Sequence, residues 1–217
     1  MPIEGSGIKT TEKREVYGFD SVELAGVGQL IVRQNGAESL TIEGDDNIVP
    51  RIKSEVVGGK LVIGMEEERI NPKLPIVYNV TVRDIKSLGL SGAGSVVAND
   101  LKADDFEAYV TGAGNMALGN IGSSNLSVSM PGAGYIVTSG NVDTQSVTIS
   151  GAGRYRADEL RSVRANVVTS GVGSALLWVT DTLSAVIDGV GSLQYYGSPQ
   201  VRLHRSSMGS FTRLGDR

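Results

Sequence analysis

The chain has 217 residues, a formal net charge of -4, and 40% hydrophobic but only 5% aromatic residues. That is enough apolar material for a folded core, but one filled by Val, Leu, Ile and Ala, which suits thin stacked sheets. The acidic balance without a basic run excludes the electrostatic footprint of a nucleic-acid binder, and no stretch approaches the ~18 apolar residues of a transmembrane helix. With no cysteine and a single histidine, disulfides, thiolate chemistry and the usual zinc ligand sets drop out, and no cofactor is expected.

Residues 1–13 are expected to be flexible. They begin Met1-Pro2-Ile3-Glu4-Gly5-Ser6-Gly7, with neither a basic n-region nor an apolar h-region, so the chain is either cytoplasmic or starts after a trimmed export signal. Residues 14–86 form a less regular β section, antiparallel or mixed, continuous with the repeats after it and covering their starting edge. Leu40-Thr41-Ile42, Val56-Val57-Gly58-Gly59-Lys60-Leu61-Val62-Ile63 and Ile76-Val77-Tyr78-Asn79-Val80-Thr81-Val82 read as strands, with Gly58-Gly59 a hairpin turn. Met65 to Pro75, holding Glu66-Glu67-Glu68 and two prolines, reads as a loop.

Residues 87–217 are dominated by a repeat. Gly-x-Gly with a small aliphatic centre occurs as Gly26-Val27-Gly28, Gly92-Ala93-Gly94, Gly112-Ala113-Gly114, Gly132-Ala133-Gly134, Gly151-Ala152-Gly153, Gly171-Val172-Gly173 and Gly189-Val190-Gly191, with Ser207-Met208-Gly209 a worn copy. From Gly92 onward the first glycines step by 20, 20, 19, 20 and 18 residues, the mark of a solenoid. Before each corner the chain alternates. Phe106, Ala108 and Val110, for example, are separated by Glu107 and Tyr109; Leu126, Val128 and Met130 by Ser127 and Ser129. Val96, Met116, Ile136, Tyr155, Ala175, Leu193 and Phe211 occupy the equivalent inward position after the corner. Period-two patterning marks strands with one buried face, and polar turns such as Asn99-Asp100 and Gly119-Asn120 end each one.

The expected fold is therefore all-β: a right-handed parallel β-helix, or β-solenoid, with about 20 residues per coil and almost no helix. The glycines are its corners, where positive φ or close backbone approach admits no side chain. A dinucleotide loop would need a helix after the glycines, and here a strand follows each time. The last rung is a degenerate cap: Val201 and Leu203 keep the inward pattern, Arg205 breaks it, and His204, Arg213, Asp216 and Arg217 crowd the end.

The run Gly18-Phe19-Asp20-Ser21-Val22-Glu23-Leu24 into a Gly-x-Gly, then Leu40-Thr41-Ile42-Glu43-Gly44-Asp45-Asp46-Asn47, Leu61-Val62-Ile63 and the Ser-Gly-Ala-Gly corners, resembles the bacterial family called putative auto-transporter adhesin, head GIN domain. The match spans roughly residues 14 to 214. The resemblance implies a right-handed β-helix and an exported protein, in the periplasm or on the cell surface, with a signal peptide or lipid anchor. It brings no catalytic residues.

Little catalytic chemistry is legible. A Ser/His/Asp triad has only His204 to draw on. Asp45-Asp46-Asn47, and Asp100 with Asp104-Asp105, are oxygen-rich but lack calcium-loop spacing, and read as solvated turns. Arg154, Arg156, Asp158 and Glu159 read as a charged surface turn, which leaves a polysaccharide-active enzyme as a minor alternative. The candidate ligand-binding face is the outward hydroxyl ladder Ser127, Ser129, Ser146, Thr148, Ser150 and Ser170, with Tyr109 and Tyr135 near its edge. Such a face suits a surface glycan or protein ligand, or simply water. A non-enzymatic cell-envelope adhesin is the leading expectation, and a self-associating homo-oligomer the second.

Overall fold

The computed structural model describes residues 2–65, 69–206 and 208–217. The Glu66-Glu67-Glu68 stretch of the expected loop, and Ser207 of the worn corner, lie outside the described residues.

The chain opens with β1 (Ile3–Glu4) and β2 (Lys9–Arg14), then turns its first glycine corner between β3 (Ser21–Leu24) and β4 (Gln29–Gln34). There follow β5 (Ser39–Asp45), a single 3-10 turn (Val49–Arg51), β6 (Lys53–Val57), β7 (Lys60–Gly64), β8 (Ile70–Asn71) and β9 (Val77–Val82). The second corner joins β10 (Ser87–Leu90) to β11 (Ser95–Asn99), and β12 (Lys102–Val110) leads to the third. Then come four long strands, each running from one corner to the next: β13 (Asn115–Met130), β14 (Tyr135–Ile149), β15 (Arg154–Thr169) and β16 (Ser174–Ile187). β17 (Ser192–Tyr196), β18 (Gln200–Arg205) and β19 (Ser210–Gly215) end the chain.

From β10 onward these strands stack in parallel, each coil on the one before, as a β-solenoid. On the face before the corners one register line links Ser21, Ser87, Glu107, Ser127, Ser146, Asn166, Ser184 and Arg202. The steps of 19 and 18 do not disturb it. The shorter step is absorbed where Leu118 and Thr138 pair but the next partners are Ile121 and Gly140. The shortest is absorbed between Ala157/Leu177 and Arg164/Thr182. The polar turns expected there are bends inside continuous strands, made by Asn120 (φ 52°) and Gly140 (φ 124°).

The start is not laid down in chain order. β7 pairs in parallel with β3, and β9 with β4, so a later segment forms the rung beneath the first corner. β5 runs antiparallel to β9, β2 to β5, and β6 to β7. The β6–β7 hairpin turns at Gly58 (φ 58°) and Gly59 (φ 79°), both left-handed as a type I′ turn requires.

Inside the coils, the alternating positions read from the sequence are buried: Phe106, Ala108 and Val110 through Leu183, Ala185 and Ile187, with Val96, Met116, Ile136, Tyr155, Ala175 and Leu193 across the corner. At the last rung Val201 and Leu203 stack in register on Leu183 and Ala185, yet remain 39% exposed because no further coil covers them. The two glycines of a corner have different tasks. A Cβ on the first, as at Gly132 or Gly151, would lie under 3.0 Å from the carbonyl oxygen of the first glycine one coil below. A Cβ on the second would strike the inward side chain that closes the previous coil: Leu24 beneath Gly94, Met130 beneath Gly153, Ile149 beneath Gly173. Close approach, more than positive φ, selects glycine here.

Candidate ligand-binding face

Two adjacent outward columns carry the hydroxyl ladder. Glu107, Ser127, Ser146 and Asn166 form one, and Tyr109, Ser129, Thr148 and Val168 the other. Parallel pairing spaces successive rungs by about 4.8 Å, and alternation holds the side chains outward. Ser127 and Thr148 are exposed, Ser129 and Ser146 half-buried. Ser150 and Ser170 are exposed at the corner edge of the same face. None of these six hydroxyls bonds to another side chain among the described residues.

Tyr109 is held rather than free. Its ring folds over Gly89, where a Cβ would collide with it. Its Oη donates to Glu23 Oε2 (2.6 Å) and accepts from Lys60 Nζ (2.8 Å), while Ser91 Oγ donates to Glu23 Oε1 (2.6 Å). Burial works against charge on Glu23, but the Ser91, Tyr109 and Lys60 bonds outweigh it and hold the carboxyl below its usual range. Burial, together with the Glu23 carboxylate, pushes the Tyr109 phenol up. This clasp ties four rungs together and bounds the hydroxyl columns. Glu23, Lys60 and Ser91 escaped sequence reasoning; Gly89, a glycine inside a strand, was the available signal that another group approaches closely. Tyr135 lies beyond the corner on the next face, in register with Asn115 and Arg154.

Beside Ser127 an open cleft of about 1050 Å³ is lined by Asp84, Lys86, Lys102, Asp104, Asp105 and Glu107 among others. Asp105 accepts from Asn125 Nδ2 (2.8 Å), and Asn120 Nδ2 donates to Asp100 (2.6 Å). Among the described residues no group of three His, Cys, Asp or Glu could hold a metal ion. The second charged group closes on itself: Asp158 binds Arg156 (2.8 Å) and Arg217 (3.3 Å).

Asp45 departs from the solvated turn expected of it. It is fully buried and accepts from the backbone N–H groups of Gly7 (2.7 Å), Lys73 (3.0 Å) and Leu74 (3.1 Å). Asp46 takes the Ser6 hydroxyl (2.6 Å) and Asn47 the Ser6 N–H (2.9 Å). Residues 1–13, expected to be flexible, thus include a latched segment and the paired strand β2. Burial disfavours the Asp45 charge, but the backbone donors and Lys73 outweigh it and lower the pKa. A depressed folded pKa contributes stability above the ordinary carboxylate range, and that contribution is lost as pH falls through the folded value. Amide exchange at Gly7, Lys73 and Leu74 is therefore expected to accelerate below about pH 4, and Asp45→Asn to exchange fast at neutral pH with a weaker acid dependence.

The family model for the putative auto-transporter adhesin, head GIN domain matches residues 18–199. No curated protein matches. Among solved structures, a putative adhesin from Bacteroides fragilis NCTC 9343 superposes with a TM-score of 0.93 at 25% identity, over 98% of this chain and 100% of that one. A putative lipid binding protein from Parabacteroides distasonis ATCC 8503 gives 0.80 at 22% identity, over 99% of this chain and 100% of that one. A putative adhesin from Parabacteroides merdae ATCC 43184 gives 0.76 at 21%, over 98% of each chain; at these last two identities the likeness is one of fold. No helix among the described residues is long and apolar enough to cross a membrane. With its repeated corner glycines and a family match over residues 18–199, this chain belongs to the putative auto-transporter adhesin, head GIN domain family.

Proposed function

We propose that the protein is a non-enzymatic, exported adhesive module of the cell envelope that docks onto another surface through its hydroxyl face. The observation that carries this is the pair of in-register columns Ser127/Ser146 and Ser129/Thr148, whose hydroxyls have no side-chain partner among the described residues. A glycan or a polar protein surface meets there a regular array of donors and acceptors. Membership of an adhesin-named family supports the same reading. The cleft carboxylates speak less for hydrolysis: Asp84, Asp104, Asp105 and Glu107 are all exposed, whereas a general acid acting on a glycosidic oxygen needs a sheltered site to stay protonated.

A whole-cell adhesion assay paired with a glycan array tests this. Ser129→Ala with Thr148→Ala is expected to abolish binding while leaving the circular dichroism spectrum unchanged; Tyr109 is kept, because its loss would open the clasp. Binding that survives the double variant rejects the face. Release of reducing ends from a polysaccharide panel, lost on Glu107→Gln, would replace the adhesive reading with an enzymatic one.

A further inference from the structure

Outside the Glu23–Lys60 ion pair, the charges in the outward columns through Asp105, Glu107 and Tyr109 are sorted along the solenoid axis. Asp105 and Glu107 are exposed on one rung, Arg164 three rungs further on, and Arg202 at the end. None of these four joins an ion pair among the described residues. Charges of opposite sign, about 14 Å apart on one flat face, are too far separated to satisfy each other. They are well placed to satisfy a copy turned end for end.

The register supplies the geometry. An axis placed between Ser127 and Ser146 brings the eight rungs at 21, 87, 107, 127, 146, 166, 184 and 202 into overlap and leaves the Lys60 rung, below Ser21, outside it. A two-fold axis lying in the face there, parallel to the strands, reverses rung order and preserves position along each strand. It sets Ser127 opposite Ser146 of a second copy, and Glu107 opposite Asn166. Two residues earlier along the strands it sets Asp105 opposite Arg164. Carboxylate meets guanidinium, carboxylate meets amide, and hydroxyl meets hydroxyl.

We propose that this face pairs with the same face of a second copy in the antiparallel register defined by Asp105 and Arg164. The proposal rests on the adhesive reading of the face and names its partner. Eight rungs of about five residues cover roughly 600 Å², so the pair would bury about 1,200 Å², the lower bound for a specific interface. Two molecules held by the same end on facing surfaces meet in this orientation, so the contact is suited to joining cells as well as to forming dimers.

Sedimentation velocity over rising protein concentration, at low and high salt, tests the pairing. A reversible dimer weakened by salt is expected. Asp105→Arg and Arg164→Asp should each weaken it by about tenfold or more, and the two combined on one chain should restore it, because the swapped charges face each other again. A monomer under all conditions overturns the proposal, as does a dimer indifferent to both single variants. Adhesion that persists in monomeric Asp105→Arg but is lost in Ser129→Ala with Thr148→Ala rejects self-pairing and leaves the face to another ligand, a glycan first. Adhesion untouched by either set removes the adhesive face itself.

Discussion

Gly132→Ala is expected to cost about 3 kcal/mol, the upper end for overpacking, because the new methyl has no soft neighbour to displace. Its Cβ would meet the backbone oxygens of Gly112 and Thr111, and the Gly112 carbonyl accepts the Ala133 N–H (3.2 Å) in the ladder that joins one coil to the next. Moving them opens the stack along its length. Urea titration should show a lowered midpoint, and amide exchange should show coils on both sides of residue 132 losing protection together, since each rung is stabilised by its neighbours. Ala133→Ser in the same corner projects into solvent and should stay within about 0.5 kcal/mol of the parent. Gly18→Ala separates the two glycine effects: Gly18 has φ +74° with nothing within 4 Å, so only backbone strain of about 1 kcal/mol applies.

Gln145→Leu is expected to cost about 2 kcal/mol, although it places an apolar side chain in an apolar column. Gln145 is fully buried. Its Oε1 accepts from Tyr155 Oη (3.0 Å), and its Nε2 donates to Ser162 Oγ (2.8 Å), which itself donates to the Trp178 carbonyl (2.8 Å). Thr138 Oγ1 lies 3.1 Å from the same phenol. Leucine strips the phenol and the serine of a partner in a dry core. Adding Tyr155→Phe should recover part of the loss, because removing both partners is milder than orphaning one. A double-mutant cycle read by chemical denaturation gives the coupling, and strictly additive costs would show that the network is not cooperative.

The coil is legible in the sequence because its signal is local and repeated. Phe106, Ala108 and Val110 announce a strand in one copy, and the other copies say the same at a nearly constant step. The start is not legible in the same way. That β7 and β9 slide beneath β3 and β4 depends on pairings between distant segments, and no periodicity marks them. Asp45 reads as a solvated turn because its partners are 38 residues before it and 28 after it. Likewise Tyr109 reads as a free aromatic, since the carboxylate that holds it is 86 residues away. Gln145 is visible as a polar residue in an inward column; what it binds is not, because Ser162 enters only through the bend of the next coil. The stacking of Ser127 on Ser146, by contrast, follows from the repeat alone.

The uncovered last rung has a consequence for size. β18 presents a parallel edge, with Val201 and Leu203 in the inward column on which a following coil would stack. Arg205, in the inward column of that rung, blunts the apolar edge. A duplicated unit of about twenty residues, inserted in register after residue 187, would find a ready-made seat on each side. The length of such a solenoid is therefore a matter of copy number, and it can be lengthened or shortened along its axis by about 4.8 Å at a time without redesigning the fold.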